Sequence, residues 1–156
     1  MPPLILFGAS VAFGLIVWAI VAAQYIWPYL RDQAPAEALR PLLILHGFRF
    51  VGLSFLISGV VAPDLSPAFA MPAAYGDTVA AILALLALWA LPGSLGILLA
   101  WVFNIWGMAD LLFAFYQGNQ VGMLPGQLGA AYYIITVVVP LLLVTHVLMF
   151  RILLRR

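Results

Sequence analysis

Long apolar runs alternate with short polar breaks along the chain, and prolines and glycines cluster at the breaks. The first run covers 4–27 and ends at Pro28. The second, 41–62, lies between Pro41 and Pro63; proline suits a first helical position and stops a helix just beyond its end. A third run, 78–117, would be roughly 60 Å long as one helix, twice a hydrocarbon layer of about 30 Å. The sequence Pro92-Gly93-Ser94-Leu95-Gly96 divides it, predicting helices over 77–91 and 96–117. The last run, 129–150, contains Pro140, which predicts a kink. This pattern predicts an all-α fold, an integral membrane bundle of five transmembrane helices forming a single transmembrane domain over 1–156.

Composition strengthens that reading. Hydrophobic residues make up 67% of the chain and charged ones 7%, whereas soluble domains carry about a quarter charged residues. Mean hydropathy is +1.19. The expected surroundings are therefore a lipid bilayer, with other membrane proteins or further copies of the chain as partners. A net charge of +1 and the lack of any lysine argue against nucleic acid as a partner. Without cysteine there is no thiol chemistry and no thiolate metal site.

Charge also predicts orientation. Arg31 and Arg40 lie in the first loop, and Arg151, Arg155 and Arg156 lie at the C-terminus. With five spans both groups share one side, which the positive-inside rule makes cytosolic, leaving the N-terminus outside. Trp27, Tyr29 and Trp89 would mark the inner interface, and Tyr75, Tyr116, Tyr132 and Tyr133 the outer one. Val21-Ala22-Ala23 resembles a signal-peptide cleavage site, but the segment before it has no basic residue, so the first run is read as a retained span.

A few polar residues interrupt the apolar runs. Arg49 falls inside the second, within Leu45-His46-Gly47-Phe48-Arg49-Phe50. A charged residue near a helix centre costs about 2.5–3.5 kcal/mol on insertion scales and normally faces a partner. Asp110, read as the one carboxylate well inside a span, and Asn104 on the same helix are the expected partners, giving a buried polar cluster of Arg49, Asn104 and Asp110. His46 and His146 fall at similar depths on different helices. Together with Arg49 they form a candidate cofactor site for haem b, a quinone or another amphiphile, or for a metal. The competing reading makes each histidine a hydrogen-bonded packing residue. Asp77, just before Thr78, reads as the N-cap of the 77–91 helix. No catalytic-triad order, paired-carboxylate motif, phosphate loop or zinc-helix motif is present, so no catalytic residue is assigned.

The segments LHGFRFVGLSFL (45–56), PAAYGD (72–77) and WGMADLLFAFYQG (106–118) resemble an uncharacterised group of small bacterial multi-pass membrane proteins. That resemblance implies the bacterial inner membrane and carries over no activity and no site residues. The expected function is a non-catalytic accessory or assembly subunit that packs against partner membrane helices. Two alternatives remain open: an amphiphile-binding protein using His46, His146 and Arg49, and an oligomeric transporter or channel subunit around Arg49, Asn104 and Asp110.

Overall fold

The computed structural model describes residues 2–155; Arg156, counted above among the C-terminal charges, lies outside them. Six α-helical segments, joined by π and 3-10 turns, build five rods long and apolar enough to cross a membrane. These are α1 (Pro3–Leu30), α2 (Pro35–Leu56), α3 (Pro67–Ala90), α4 (Ser94–Gln120) and α5 (Ile134–Leu153). A short 3-10 segment, Pro125–Ala131, precedes α5. No strand occurs among the described residues.

Proline acts differently here from the reading of the sequence. Pro28 does not end α1. The helix widens into a π turn over Ala22–Ile26 and continues to Leu30. A second π turn, Ile134–Val138, precedes Pro140. In both places the wider turn makes room for a ring that would clash with the carbonyl four residues back. Pro41 lies inside α2, which starts at Pro35 and not at 41. From Phe48 the rod tightens to 3-10 geometry, and it stops at Leu56, where Ile57 turns extended. The expected end at 62 is therefore too late.

The third span needs the largest correction. It begins at Pro67, not 77, and it also absorbs Pro72. Pro72 cannot donate to the carbonyl of Ala68, and Gln117 of α4 donates its side-chain N–H to that carbonyl instead, at 3.2 Å. The earlier start leaves Tyr75 roughly 12 Å along α3 and Asp77 roughly 15 Å along it, far from any helix end. The N-cap reading of Asp77 is therefore overturned. The fourth span runs slightly beyond 96–117 at both ends. The fifth starts later than 129 because Gly129 takes a left-handed φ of 52°, and a side chain there would collide with the Val60 carbonyl.

Packing follows small residues. Ala80, Ala84 and Ala87 of α3 and Ala100 of α4 are buried, as expected where van der Waals contact, not hydrophobicity, joins helices in lipid. Around them Leu39, Leu43, Phe103, Met149 and Ile152 close one half of the bundle. In that half Arg151 and Arg155 stack over Trp27 at 3.9 and 4.5 Å. Arg155 also donates to the carbonyls of Leu30 and Arg31, so the first-loop and C-terminal arginines share one end. α1 lies outermost. Its Gly14 abuts the Thr136 carbonyl and the Pro140 ring, and Trp18 donates to the carbonyl of Val137 at 3.0 Å. The exterior is apolar: Phe13, Ile16, Leu98, Ile105 and Leu112 are each more than half exposed, a surface compatible with lipid contact.

Candidate functional site

Four helices deliver polar side chains to one point near the middle of the bundle. α2 supplies Arg49, whose side chain is fully enclosed. Its Nε donates to Asp77 Oδ1 of α3 at 2.7 Å, and its Nη2 donates to Asp110 Oδ2 of α4 at 2.7 Å. Nη1 donates to the carbonyl of Gly107 at 3.1 Å and meets His146 Nε2 of α5 at 3.2 Å. Two N–H···O distances of 2.7 Å are short enough for charge-assisted bonds between a guanidinium and two carboxylates.

The hydrogen-bond partners assign the histidine tautomers. Arginine can only donate, so His146 Nε2 accepts. Asn104 donates its amide to the His146 carbonyl and presents Oδ1 to His146 Nδ1 at 2.7 Å, so Nδ1 carries the proton. His46 Nε2 lies 3.0 Å from Thr145 Oγ1, and that hydroxyl donates to backbone carbonyls of its own helix. His46 therefore donates from Nε2, and its Nδ1 is buried without a partner. His146 is thus held as the neutral Nδ1–H tautomer by its neighbours.

The residues singled out in the sequence meet only in part as expected. Arg49 pairs with Asp110 but does not bond Asn104, because the imidazole of His146 stands between them and Asn104 orients it. The second carboxylate on Arg49, Asp77, was missed because the 77–91 reading put it at a helix end. The signal was present: Ala70, Ala73, Asp77, Ala80, Ala84 and Ala87 form one continuous helical stripe, and all six are buried. His46 and His146 do lie at one depth, with ring centroids 4.2 Å apart and Phe103 against both. That contact excludes haem ligation by one histidine from each face, since two rings this close leave no space for a porphyrin between them. Three of the four ring nitrogens are also already engaged. Among the described residues no group of three or more His, Cys, Asp or Glu is placed to hold a metal.

Three glycines make the cluster possible. A Cβ at Gly52 would overlap the Asp77 carboxylate, and one at Gly76 would overlap that of Asp110. At Gly107 it would stand 2.6 Å from the His146 ring and 2.8 Å from Arg49 Nη1. Bare backbone is the only surface that lets the charged groups approach this closely.

On one side of the network the packing opens. A cleft of about 300 Å³ reaches the two carboxylates, Asp77 and Asp110. Its walls are apolar, with Phe7 of α1, Phe55 of α2, Phe69 of α3, Phe115 of α4 and Val139 of α5. Gly118, Asn119 and Met123 mark the end away from the arginine pair over Trp27. Neither histidine lines it. Each carboxylate uses one oxygen on Arg49. Asp77 Oδ2 and Asp110 Oδ1 accept no hydrogen bond among the described residues, yet neither is sealed off. The cleft thus offers apolar walls and a hydrogen-bond-accepting floor that Arg49 holds rigid. No curated protein and no solved structure matches the chain. One family model does match, over residues 6–154, and the chain belongs to that family, described as a domain of unknown function (DUF8737).

Proposed function

We propose that this chain is a non-catalytic protein of the bacterial inner membrane that binds a small amphiphile in the cleft between its five helices. The apolar body of the ligand lies among Phe7, Phe69 and Phe115, and its polar end reaches Asp77 and Asp110. The observation that carries this reading is a cleft of about 300 Å³ with apolar walls and two carboxylates at its floor. That volume is at the small end of the usual range for ligand pockets, roughly 300–1,000 Å³, and suits one compact molecule. Membrane insertion is supported by five apolar rods and an apolar exterior. The arginines gathered at one end favour a cytosolic C-terminus and an outer N-terminus, so the cleft would open toward the outer half of the bilayer.

The binding reading stands ahead of an accessory-subunit role because it accounts for a built cavity. It stands ahead of a channel because Arg49 is fixed by hydrogen bonds to three helices, not left facing a pore. The polar residues of the site divide into two tasks. Asp77 and Asp110 meet the ligand, while Arg49, His146, Asn104 and His46 hold them in place. Native mass spectrometry of the detergent-purified protein tests the reading, with Ala114→Leu as the cleft-filling variant. A small-molecule adduct in the wild type that is lost in the folded variant supports it. Equal adducts in both, or an empty wild type that takes up no alkyl probe, reject it.

A further inference from the structure

Resting on that reading of the cleft, we propose that its ligand carries a cationic head, an amphiphilic amine whose ammonium group sits between Asp77 and Asp110. With both carboxylates ionised, the site is short of one positive charge. Arg49 brings +1, and two carboxylates at 2.7 Å from it bring −2. Among the described residues their neighbours supply no second salt-bridge cation: His146 accepts from Arg49 at Nε2 and is thereby neutral, and His46 gives its Nε2–H to Thr145 with nothing bonded at Nδ1. α1 contributes only apolar side chains, Leu4 and Phe7, to the cleft. Among the described residues Arg49 is the sole salt-bridge partner of either aspartate. An unbalanced charge in a desolvated site is expensive unless paired.

Hydrogen-bond geometry adds an independent argument. An ammonium group donates three hydrogen bonds and accepts none. The cleft reaches both aspartates, and each has one oxygen, Asp77 Oδ2 and Asp110 Oδ1, that accepts no hydrogen bond among the described residues. They pack against the bare backbone of Gly52 and Gly76, and neither is sealed off. A carboxylate or phosphate head would meet those oxygens with like charge. A hydroxyl could donate only one bond. An alkylammonium satisfies both oxygens and brings the local charge to zero, while its chain continues into the apolar walls.

Three probes of equal chain length test this: n-octylamine, n-octanol and n-octanoate. Each is titrated against the purified protein in mild detergent near neutral pH, with thermal stabilisation as the readout. The amine should bind about tenfold more tightly than the alcohol, the discrimination expected of a single hydrogen bond to a charged group. Octanoate should give no stabilisation. Asp110→Asn should bring amine and alcohol to similar affinity, and Ala114→Leu should abolish both responses. The comparison within the wild type needs no variant, so it stands even if Asp110→Asn folds poorly. Alcohol binding as well as amine, or octanoate binding best, overturns the cationic head while leaving the cleft as a ligand site. No stabilisation by any probe, with Ala114→Leu indistinguishable from wild type, removes the ligand site itself.

Discussion

The two halves of the bundle, divided at Arg49, are built in opposite ways. On the arginine-rich side Leu39, Leu43, Phe103, Met149 and Ile152 are buried and packed around alanines. On the other side Phe55, Phe69 and Ile135 belong to a smaller cluster bordering the cleft. The same five helices supply both halves. α2 changes form between them: it is α-helical through Gly47 in the closed half and tightens to 3-10 geometry over Phe48–Leu56 beside the cleft. Close packing therefore supports the network on the arginine-rich side, and the cleft reaches it from the other.

The seam between the halves should give the largest effect. Arg49→Met removes the guanidinium and leaves two carboxylates facing each other, which should destabilise the protein by about 3–5 kcal/mol. Unfolding in mixed micelles measures it. Arg49→Lys should recover only part, because one ammonium cannot reproduce the planar fork that reaches Asp77, Asp110 and Gly107 together. A stable Arg49→Met protein would mean that the halves do not depend on the charge network.

Truncation in each half sharpens the contrast. Leu43→Ala, in the closed half, should cost about 2–5 kcal/mol through an unfilled cavity and leave octylamine binding unchanged at temperatures where the protein is folded. Ala114→Leu, in the open half, should reverse the pattern: little change in stability and complete loss of binding. Paired unfolding and titration experiments check both. Loss of binding in the folded Leu43→Ala protein would show that the two halves act as one unit.

Much of this division was legible from hydropathy, but its key element was not. The break at Pro92-Gly93 places a helix end in the sequence and in the structure, because an extended residue and a glycine interrupt the ladder there. The pairing of Arg49 with Asp110 was also readable, since few groups inside the apolar runs could balance a guanidinium. Asp77 was misplaced because prolines at 67 and 72 read as loop, whereas Pro67 starts a helix and Pro72 is tolerated once Gln117 takes its orphaned carbonyl. The cleft was illegible for a different reason. It depends on side chains brought together from five rods, which one-dimensional periodicity does not carry. Gly52, Gly76 and Gly107 looked like ordinary membrane-helix glycines, and only the three-dimensional approach shows what their missing side chains permit.

Those glycines give the next prediction. Gly52→Ala should force apart α2 and the Asp77 carboxylate and cost about 1–3 kcal/mol by overpacking. Gly8→Ala in α1, where a Cβ meets nothing within 4 Å, should be neutral or slightly stabilising. The pair separates the steric demand from the general helix preference for alanine over glycine. Equal effects on unfolding would show that contact with Asp77 is not what keeps a glycine at 52.

The smallest effect is expected at the mouth of the open half. Gln127 ties two loops together there. Its Oε1 accepts the Leu124 N–H at 2.8 Å, and its Nε2 donates to the carbonyl and to Oδ2 of Asp64 at 3.1 and 3.0 Å. Backbone bonds from Ala62 to Gln127 and from Ala130 to Val60 run beside it, so the loops remain joined without the side chain. Gln127→Ala should therefore cost only about 1 kcal/mol, while amide exchange rises over 57–66 and 122–131. Exchange near Trp27 at the far end should stay unchanged. Gln127→Glu is the more discriminating variant: it keeps an acceptor for Leu124 but sets a carboxylate against Asp64. The loops should then open further at low salt and recover as added salt screens the repulsion. If exchange in both variants matches the wild type, the two loops are held by backbone pairing alone, and the side chain of Gln127 adds nothing to the rigidity of the open half.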